Sequence, residues 1–434
     1  MIELYGERYF HGEWPGARGR FMARYVGDHE PTRWLPEKIL ADGSLLSWLQ
    51  HEVRSSGLLP QLHVYRMTEA EAELAVALGA PAVALAPELQ NLGTKSGSRD
   101  LARLAIQGDE RYGGHLLPGR EHLRSRAKVA DAIFALYRDH GVRAAMIKAN
   151  EGSSGEGQVG AALSPALLDA LSRLSERDGR ALVRRWVRKG LVGTTLNFRH
   201  PSMSWPKLMA MIESMGGVVE AFIPEVLEAQ AQGQVVPQAS VQFLADGLGP
   251  PRIIGSADVI EHGDLELLAG PSAHAALDGL HDFAEGLLRA AGPKLLGPGS
   301  FDFTGSARPV FTEVNTRQTA VTAPAMGVAT PLAQAQYDRA TGRLLDPTGR
   351  SWHWVAAGSV PLPKGGGGRP SDRAWHDPWW RPAFDTGRFE DGAFVLPTRM
   401  DQPGRVGLVA VAPETRAAAL RAFDNALGQL GSLY

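Results

Sequence analysis

Residues 145–163 read AMIKANEGSSGEGQVGAAL, two apolar runs on either side of a segment with three glycines and two serines. Glycine loses more backbone freedom on folding than any other residue, so glycines gathered between ordered elements mark a tight turn or a close approach to the backbone. RAAMIKA (143–149) and QVGAAL (158–163) have the composition of buried strands. Gly152, Gly155 and Gly157 form a GxxGxG pattern, and Lys148 lies upstream of it. No GK[ST] follows, which separates the segment from a P-loop, and no helix follows directly, which separates it from a dinucleotide fingerprint. Strand, glycine loop, strand makes a hairpin flap. Its bare N–H groups can close on phosphate oxygens, with Lys148 meeting the same anion. The plainer alternative is a flexible hairpin with a surface lysine.

A second stretch, GSFDFTGSARPVFTEVNTR (299–317), reads as two strands joined by a turn over 305–308. Strand alternation puts Glu313, Asn315 and Arg317 on one face. Antiparallel pairing about the turn sets Asp302 opposite Glu313. Two carboxylates so close require a cation between them. Oxygen-only donors suit Mg²⁺, which takes substrate phosphates as further ligands, and Arg317 can reach those phosphates from the same face. The competing reading is a surface salt-bridge ladder.

The rest of the chain bounds the function. It has 434 residues, 44% hydrophobic and 21% charged, with a net charge of −2 and no cysteine. That balance gives no bulk attraction to nucleic acid or to an anionic membrane. The lack of cysteine excludes disulfides, thiol nucleophiles and thiolate metal sites, and it suits a reducing compartment. Thirteen histidines show no HExxH or other zinc spacing. MIELYGERYF at the start carries acids and no apolar core, and the apolar run over 74–87 is cut by Gly79-Ala80-Pro81. The expectation is a soluble, cytoplasmic protein.

Four segments follow from composition and periodicity. Residues 1–90 read as a small α/β unit. It has strands at 62–67 and 81–87 around a helix that starts at a Thr68/Glu71 capping box and stops at Gly79. Residues 91–215 read as α+β around the flap. Ser164-Pro165 open a helix whose apolar face is Leu167, Leu168, Leu171 and Leu174, and RALVRRWV (180–187) reads as a strand. Residues 216–345 hold strands GGVVEAFI (216–223) and ASVQFLADG (239–247) and an amphipathic helix over 273–292. Residues 346–434 contain a glycine loop at 365–368, tryptophans 352, 354, 375, 379 and 380, and a closing strand–helix pair at 406–412 and 415–429. The tryptophans suit a core better than a ligand pocket. Arg184, Arg185, Arg188 and Lys189 suit a solvated face.

IKANEGSSGEG (147–157) and FTEVNTR (311–317) resemble the lysine strand with its glycine flap and the metal motif of the ATP-grasp superfamily of carboxylate–amine ligases. The resemblance spans 91–325, with a tail to 434. It implies an α+β/α/β chain in which two α+β subdomains grip ATP, preceded by a small α/β pre-ATP-grasp domain. LGTKSGSR (92–99) resembles the segment with a second nucleotide lysine, here Lys95. GGVVEAFI resembles the hinge strand that holds adenine and ribose, here Glu220, Ala221 and Ile223. The resemblance further assigns phosphate contacts to Lys95, Lys148 and the flap residues Glu151, Gly152, Ser153, Ser154, Gly155 and Gly157. It assigns Mg²⁺, or Mn²⁺ in its place, to Asp302, Glu313 and Asn315, with Arg317 and Lys148 as the catalytic cations.

EGSSGEG, SVQ (240–242) and the preceding small domain are most similar to one branch, the peptide ligases typified by the pheganomycin biosynthetic enzyme. That branch implies a nonproteinogenic amino-acid carboxylate joined to an amine or peptide acceptor in antibiotic biosynthesis, through an acyl phosphate with release of ADP. The family often dimerises. QTAVTAPAMG (318–327) departs from the Gly/Thr-rich stretch that the family carries after its arginine. Thr319 and Thr322 in it, with Asp258 and Arg199, are the candidate substrate contacts. AMP-forming adenylation, a phosphotransferase and a non-catalytic nucleotide-binding module are the other readings.

Overall fold

The computed structural model describes residues 26–30, 32–64, 66–152, 156–191, 195–198, 200–223, 226, 236–247, 249–262, 265–274, 277–305, 309–317, 335–361, 392–396 and 405–432. Among the described residues three helices come first: α1 (Leu35–Ala41), α2 (Gly43–Ser55) and α3 (Glu69–Leu78). As the sequence predicts, α3 is capped reciprocally by Thr68 and Glu71 and ends at Gly79 in the left-handed region, φ 65°. The two strands expected around it are not formed. They shrink to a single parallel bridge, Leu62 to Ala82; Pro81 and Pro87 bound the second segment and offer no N–H to extend a ladder. The helices pack instead around Leu74, Leu78 and Ala80.

Helix α4 (Lys95–Gly108) leads into an antiparallel sheet. Its strands are β1 (Gly119–Leu123), β2 (Ala144–Ala149), β3 (Gln158–Ala162), β4 (Thr195–Phe198) and β5 (Gly217–Ala221), in the order β1-β5-β2-β3-β4. Strands β2 and β3 are the hairpin that the glycine flap closes. Ile147, Val159 and Val219 turn one face of the sheet to α5 (Arg126–His140), α6 (Pro165–Arg173), α7 (Glu176–Arg188) and α8 (Trp205–Met215). Strand β5, which the sequence groups with the following segment, hydrogen-bonds within this sheet. Helix α7 corrects the strand expected over 180–187. Leu182, Val183, Trp186 and Val187 recur at helical spacing and all face the core, and Ser175 caps the helix at the Asp178 N–H, 3.2 Å. As a strand the segment would have split Val183 and Trp186 between opposite faces.

A second antiparallel sheet of ten strands follows: β6 (Gln238–Ala245), β7 (Arg252–His262), β8 (Leu265–Gly270), β9 (Gly297–Thr304), β10 (Val310–Asn315), β11 (Gln336–Asp338), β12 (Arg343–Leu345), β13 (Ser351–Pro361), β14 (Gly392–Leu396) and β15 (Arg405–Pro413). Its order is β10-β9-β6-β7-β8-β13-β12-β11, with β15 and then β14 joining through β13. Helix α9 (Leu277–Ala291) and α4 share a core with Phe243, Phe301, Phe303 and Phe311. Helix α10 (Arg416–Ser432) sets Phe423 against Val355, Ala410 and Ala412. Trp352 and Trp354 are core residues of β13, as expected. Trp375, Trp379, Trp380 and the 365–368 loop lie outside the described residues. Among the described residues, no helix is long and apolar enough to cross a membrane.

Candidate active site

The open face of the first sheet carries the first charged group. Lys148 pairs across β2 and β5 with Val218, so Glu220, two positions on, is its diagonal neighbour on the same face. Lys148 Nζ lies 2.5 Å from Glu220 Oε1, with both side chains buried. Arg99 Nη1 donates to the other oxygen, Oε2, at 2.7 Å. Burial alone would raise the Glu220 carboxyl, but Lys148 and Arg99 outweigh it and hold it below the usual carboxylate range.

The first turn of α4 is the seam between the sheets. Thr94 caps it, accepting from the Gly97 N–H at 3.0 Å. Residues three apart share a helix face. On one side Lys95 forms an ion pair with Glu313, and Ser98 Oγ accepts the Val314 N–H at 3.0 Å. On the other side Ser96 Oγ donates to Asn150 Oδ1 at 2.7 Å, and Arg99 reaches Glu220. Gly97 lets the first turn fold back on the segment before it, because a Cβ there would overlap the Asn91 carbonyl. Burial, and then the charge of Lys148, lowers the Lys95 ammonium to about 7.

The acidic hairpin is built as the alternation predicts. Asp302 and Glu313 are direct cross-strand neighbours on β9 and β10, with a bulge between Phe311 and Glu313. Asp302 Oδ1 accepts from Ser240 Oγ at 2.7 Å and from Ser300 Oγ at 3.2 Å, and Oδ2 accepts from Asn315 Nδ2 at 2.7 Å. Burial pushes the Asp302 carboxyl up. Its hydrogen-bond partners are two hydroxyls and an amide, and the nearby charges of Lys95 and Arg317 offset its burial only in part. Glu313 and the Asn315 amide oxygen complete an all-oxygen donor set of the kind Mg²⁺ takes. Among the described residues, no group of three or more His, Asp or Glu side chains is placed to hold a metal.

Lys95, Asn150, Glu313, Asn315 and Arg317 line a cavity of about 230 Å³, together with Arg66, Glu151 and Gly152. Arg66 donates to both oxygens of Glu151, 3.2 Å each, so the N-terminal segment touches the base of the flap. The base is tight, since a Cβ on Gly152 would overlap the Glu156 carbonyl and Gly157 holds φ at 72°.

Several expected contacts come out differently. Glu220, matched to adenine and ribose, has both oxygens on cations, and the Ala221 N–H donates to the Pro118 carbonyl at 2.8 Å. Ile223 packs beside the Phe222 cluster. Asp258 does not join the site. Asp302, Ser240 and Ala257 stand side by side across β9, β6 and β7, so Asp258, one position on, points to the opposite face. There it accepts from Arg416 Nη2 at 2.7 Å, from the Ala273 N–H at 2.9 Å and from Ser272. Ser153, Ser154, Gly155, Arg199, Thr319 and Thr322 lie outside the described residues. Sequence reasoning passed over Arg99, Asn150 and Ser240. Arg99 alone carried a local signal, a second cation four residues after Lys95 in the same short segment.

No protein-family model matches the chain, and no curated protein matches it in sequence. In structure it is similar to the biotin carboxylase domain of Hydrogenobacter thermophilus 2-oxoglutarate carboxylase, solved with MgADP, ADP and bicarbonate. The TM-score is 0.50 at 14% identity, over 91% of this chain and 78% of that one. Biotin carboxylase from Campylobacter jejuni gives a TM-score of 0.48 at 13% identity, over 87% of this chain and 76% of that one. N5-carboxyaminoimidazole ribonucleotide synthetase from Thermus thermophilus gives 0.46 at 14%, over 90% of this chain and 85% of that one. With two antiparallel sheets meeting at the first turn of α4, and with the first of these likenesses, the chain has the ATP-grasp fold.

Proposed function

We propose that the chain is an ATP-dependent carboxylate–amine ligase that forms an amide bond and releases ADP and phosphate. One observation carries the reading: Lys95, Glu313, Asn315 and Arg317 line one cavity, and behind it the buried Lys148 and Asp302 lie close enough to Lys95 to act on its charge. Phosphoryl transfer asks the protein for in-line positioning and charge neutralisation rather than covalent participation. Lys148, oriented by Glu220, and Lys95, held by Glu313, are suited to phosphate oxygens. Arg317 supplies a further cation at the cavity. Mg²⁺, or Mn²⁺, when bound would neutralise charge on those phosphates.

A substrate carboxylate oxygen attacks the γ-phosphorus as the bond to ADP breaks. An amine nitrogen then attacks the acyl carbon, phosphate leaves, and the amine loses a proton. The flap hairpin is suited to keep water from the acyl phosphate. The substrates we propose are a nonproteinogenic amino-acid carboxylate and an amine or peptide acceptor in natural-product biosynthesis, handled by a cytoplasmic enzyme, with a homodimer as its assembly. The organisation we propose has 1–90 as a domain before the two gripping subdomains and 346–434 as a segment after them.

The test incubates the chain with Mg-ATP, a panel of amino acids and peptides, and hydroxylamine as trapping amine. ADP together with a hydroxamate is expected. AMP and diphosphate would overturn the mechanism. ATP bound without turnover across the panel would instead favour a nucleotide-binding module.

A further inference from the structure

Arg99 is 2% exposed, and it meets groups from two strands and a loop. Its Nε donates to Glu121 Oε1 at 2.5 Å, its Nη1 to Glu220 Oε2 at 2.7 Å, and its Nη2 to the Leu117 carbonyl at 2.7 Å. Glu121 is 4% exposed in its side chain and also pairs with Arg103. A buried chain of alternating charge results: Glu121, Arg99, Glu220, Lys148. Strand β1 is shaped around it, since a Cβ on Gly119 would overlap the guanidinium. The planar fork meets two carboxylates and a carbonyl from three separate nitrogens, a spread that the single nitrogen of a lysine does not reproduce.

We propose that Arg99 is a positioning residue for Lys148, acting through Glu220. Both Glu220 oxygens are taken, one by each cation, so Arg99 sets where the carboxylate stands and the carboxylate sets where Nζ points. Without Arg99, Glu220 gains a free oxygen and rotamer freedom, and Lys148 loses its fixed aim. Lys95, one turn earlier on α4, moves with the same helix, so one element aligns both lysines. The proposal rests on the functional reading above, in which Lys148 meets nucleotide phosphate.

The test is a double-mutant cycle on ATP affinity, read by calorimetry on the full chain. Arg99→Met combined with Glu121→Gln removes one charge of each sign and leaves the Glu220–Lys148 pair balanced. This variant and Lys148→Met are each measured alone and then together. If Arg99 acts through Lys148, the loss of affinity caused by Lys148→Met shrinks by about 10-fold or more in the Arg99→Met/Glu121→Gln background. Additive losses, with thermal unfolding unchanged, would overturn the proposal, because a merely structural role leaves the Lys148 effect intact. Should the paired variant not fold, Arg99→Lys keeps charge and bulk without the fork, and the same non-additivity is expected of it. A wild-type chain that binds no ATP would overturn the functional reading itself. Binding with an additive cycle would overturn the Arg99 proposal alone.

Discussion

Glu313 faces Lys95 across the seam between α4 and β10 and stands beside Asp302 on the neighbouring strand. Its carboxylate therefore serves two partners, a buried ammonium and the cation-seeking oxygen cluster. Glu313→Ala removes both. Lys95 then sits buried near Lys148 with no counter-charge of its own, and the donor set loses one of its two carboxylates. ADP formation, followed by a coupled assay, should fall by about 100-fold or more. Wild-type turnover in that variant would refute the role assigned to the acidic hairpin. The alternation of FTEVNTR made this pairing legible in advance, because cross-strand neighbours follow from register alone. The partner of Glu313 on the other side was not legible in that way. Nothing local to Lys95 indicates which strand it will meet.

At the scale of an element, helix α4 joins the two sheets through its first turn. It contains two glycines of opposite character. At Gly97 an added methyl overlaps the Asn91 backbone, whereas at Gly108 nothing lies within 4 Å. Gly97→Ala should push the first turn off the Asn91 backbone that precedes it and so disturb the seat of Lys95 and Arg99, at a cost of about 1–3 kcal/mol, and weaken ATP binding along with stability. Gly108→Ala should stabilise the chain by roughly 0.5–1 kcal/mol through helix propensity and leave ATP binding unchanged. Thermal unfolding and nucleotide titration of the two variants check this. Equal behaviour would mean that the first turn of α4 is not the tight seam described. Helix α7 shows where element reading fails. RALVRRWV is dense in valine and short, and a window that brief cannot separate a period of 2 from one of 3.6. The neighbouring helices α5 and α8 settle it, by offering a core to one helical face.

Across the whole molecule, a polar chain ties the second sheet to α9. The Ser272 N–H donates to Ser256 Oγ at 3.1 Å, Ser256 Oγ lies 2.8 Å from Tyr337 Oη, and that oxygen lies 2.9 Å from His281 Nε2. Burial, and beyond it the charge of Arg339, holds His281 at about 4, against its ordinary 6.5. The unfolded chain thus takes up a proton that the folded chain refuses. The contribution of His281 to stability is complete above pH 6.5 and is lost as pH falls toward about 4, by roughly 3 kcal/mol at the limit. His281→Gln keeps a hydrogen-bonding group for Tyr337 without a titrating one. Its stability should fall less steeply than the wild type between pH 6.5 and 4 in urea titrations. Parallel curves would rule out a neutral buried imidazole.

At this scale the division of labour is visible. Local sequence specifies the flap hairpin, the Asp302–Glu313 pairing, the Thr68 and Ser164 caps and the closing strand–helix pair. Each is written in contacts between residues a few positions apart, or across one turn. Tertiary structure alone decided that α4 would be wedged between the two sheets. It decided that Ser98 would bind Val314, 216 positions away, that Arg99 would be buried, and that Asp258 would turn to Arg416 rather than to the site. Periodicity is a local geometric property, and the chain carries it openly. Which charges are buried together depends on how whole elements pack, and no short window of residues encodes that.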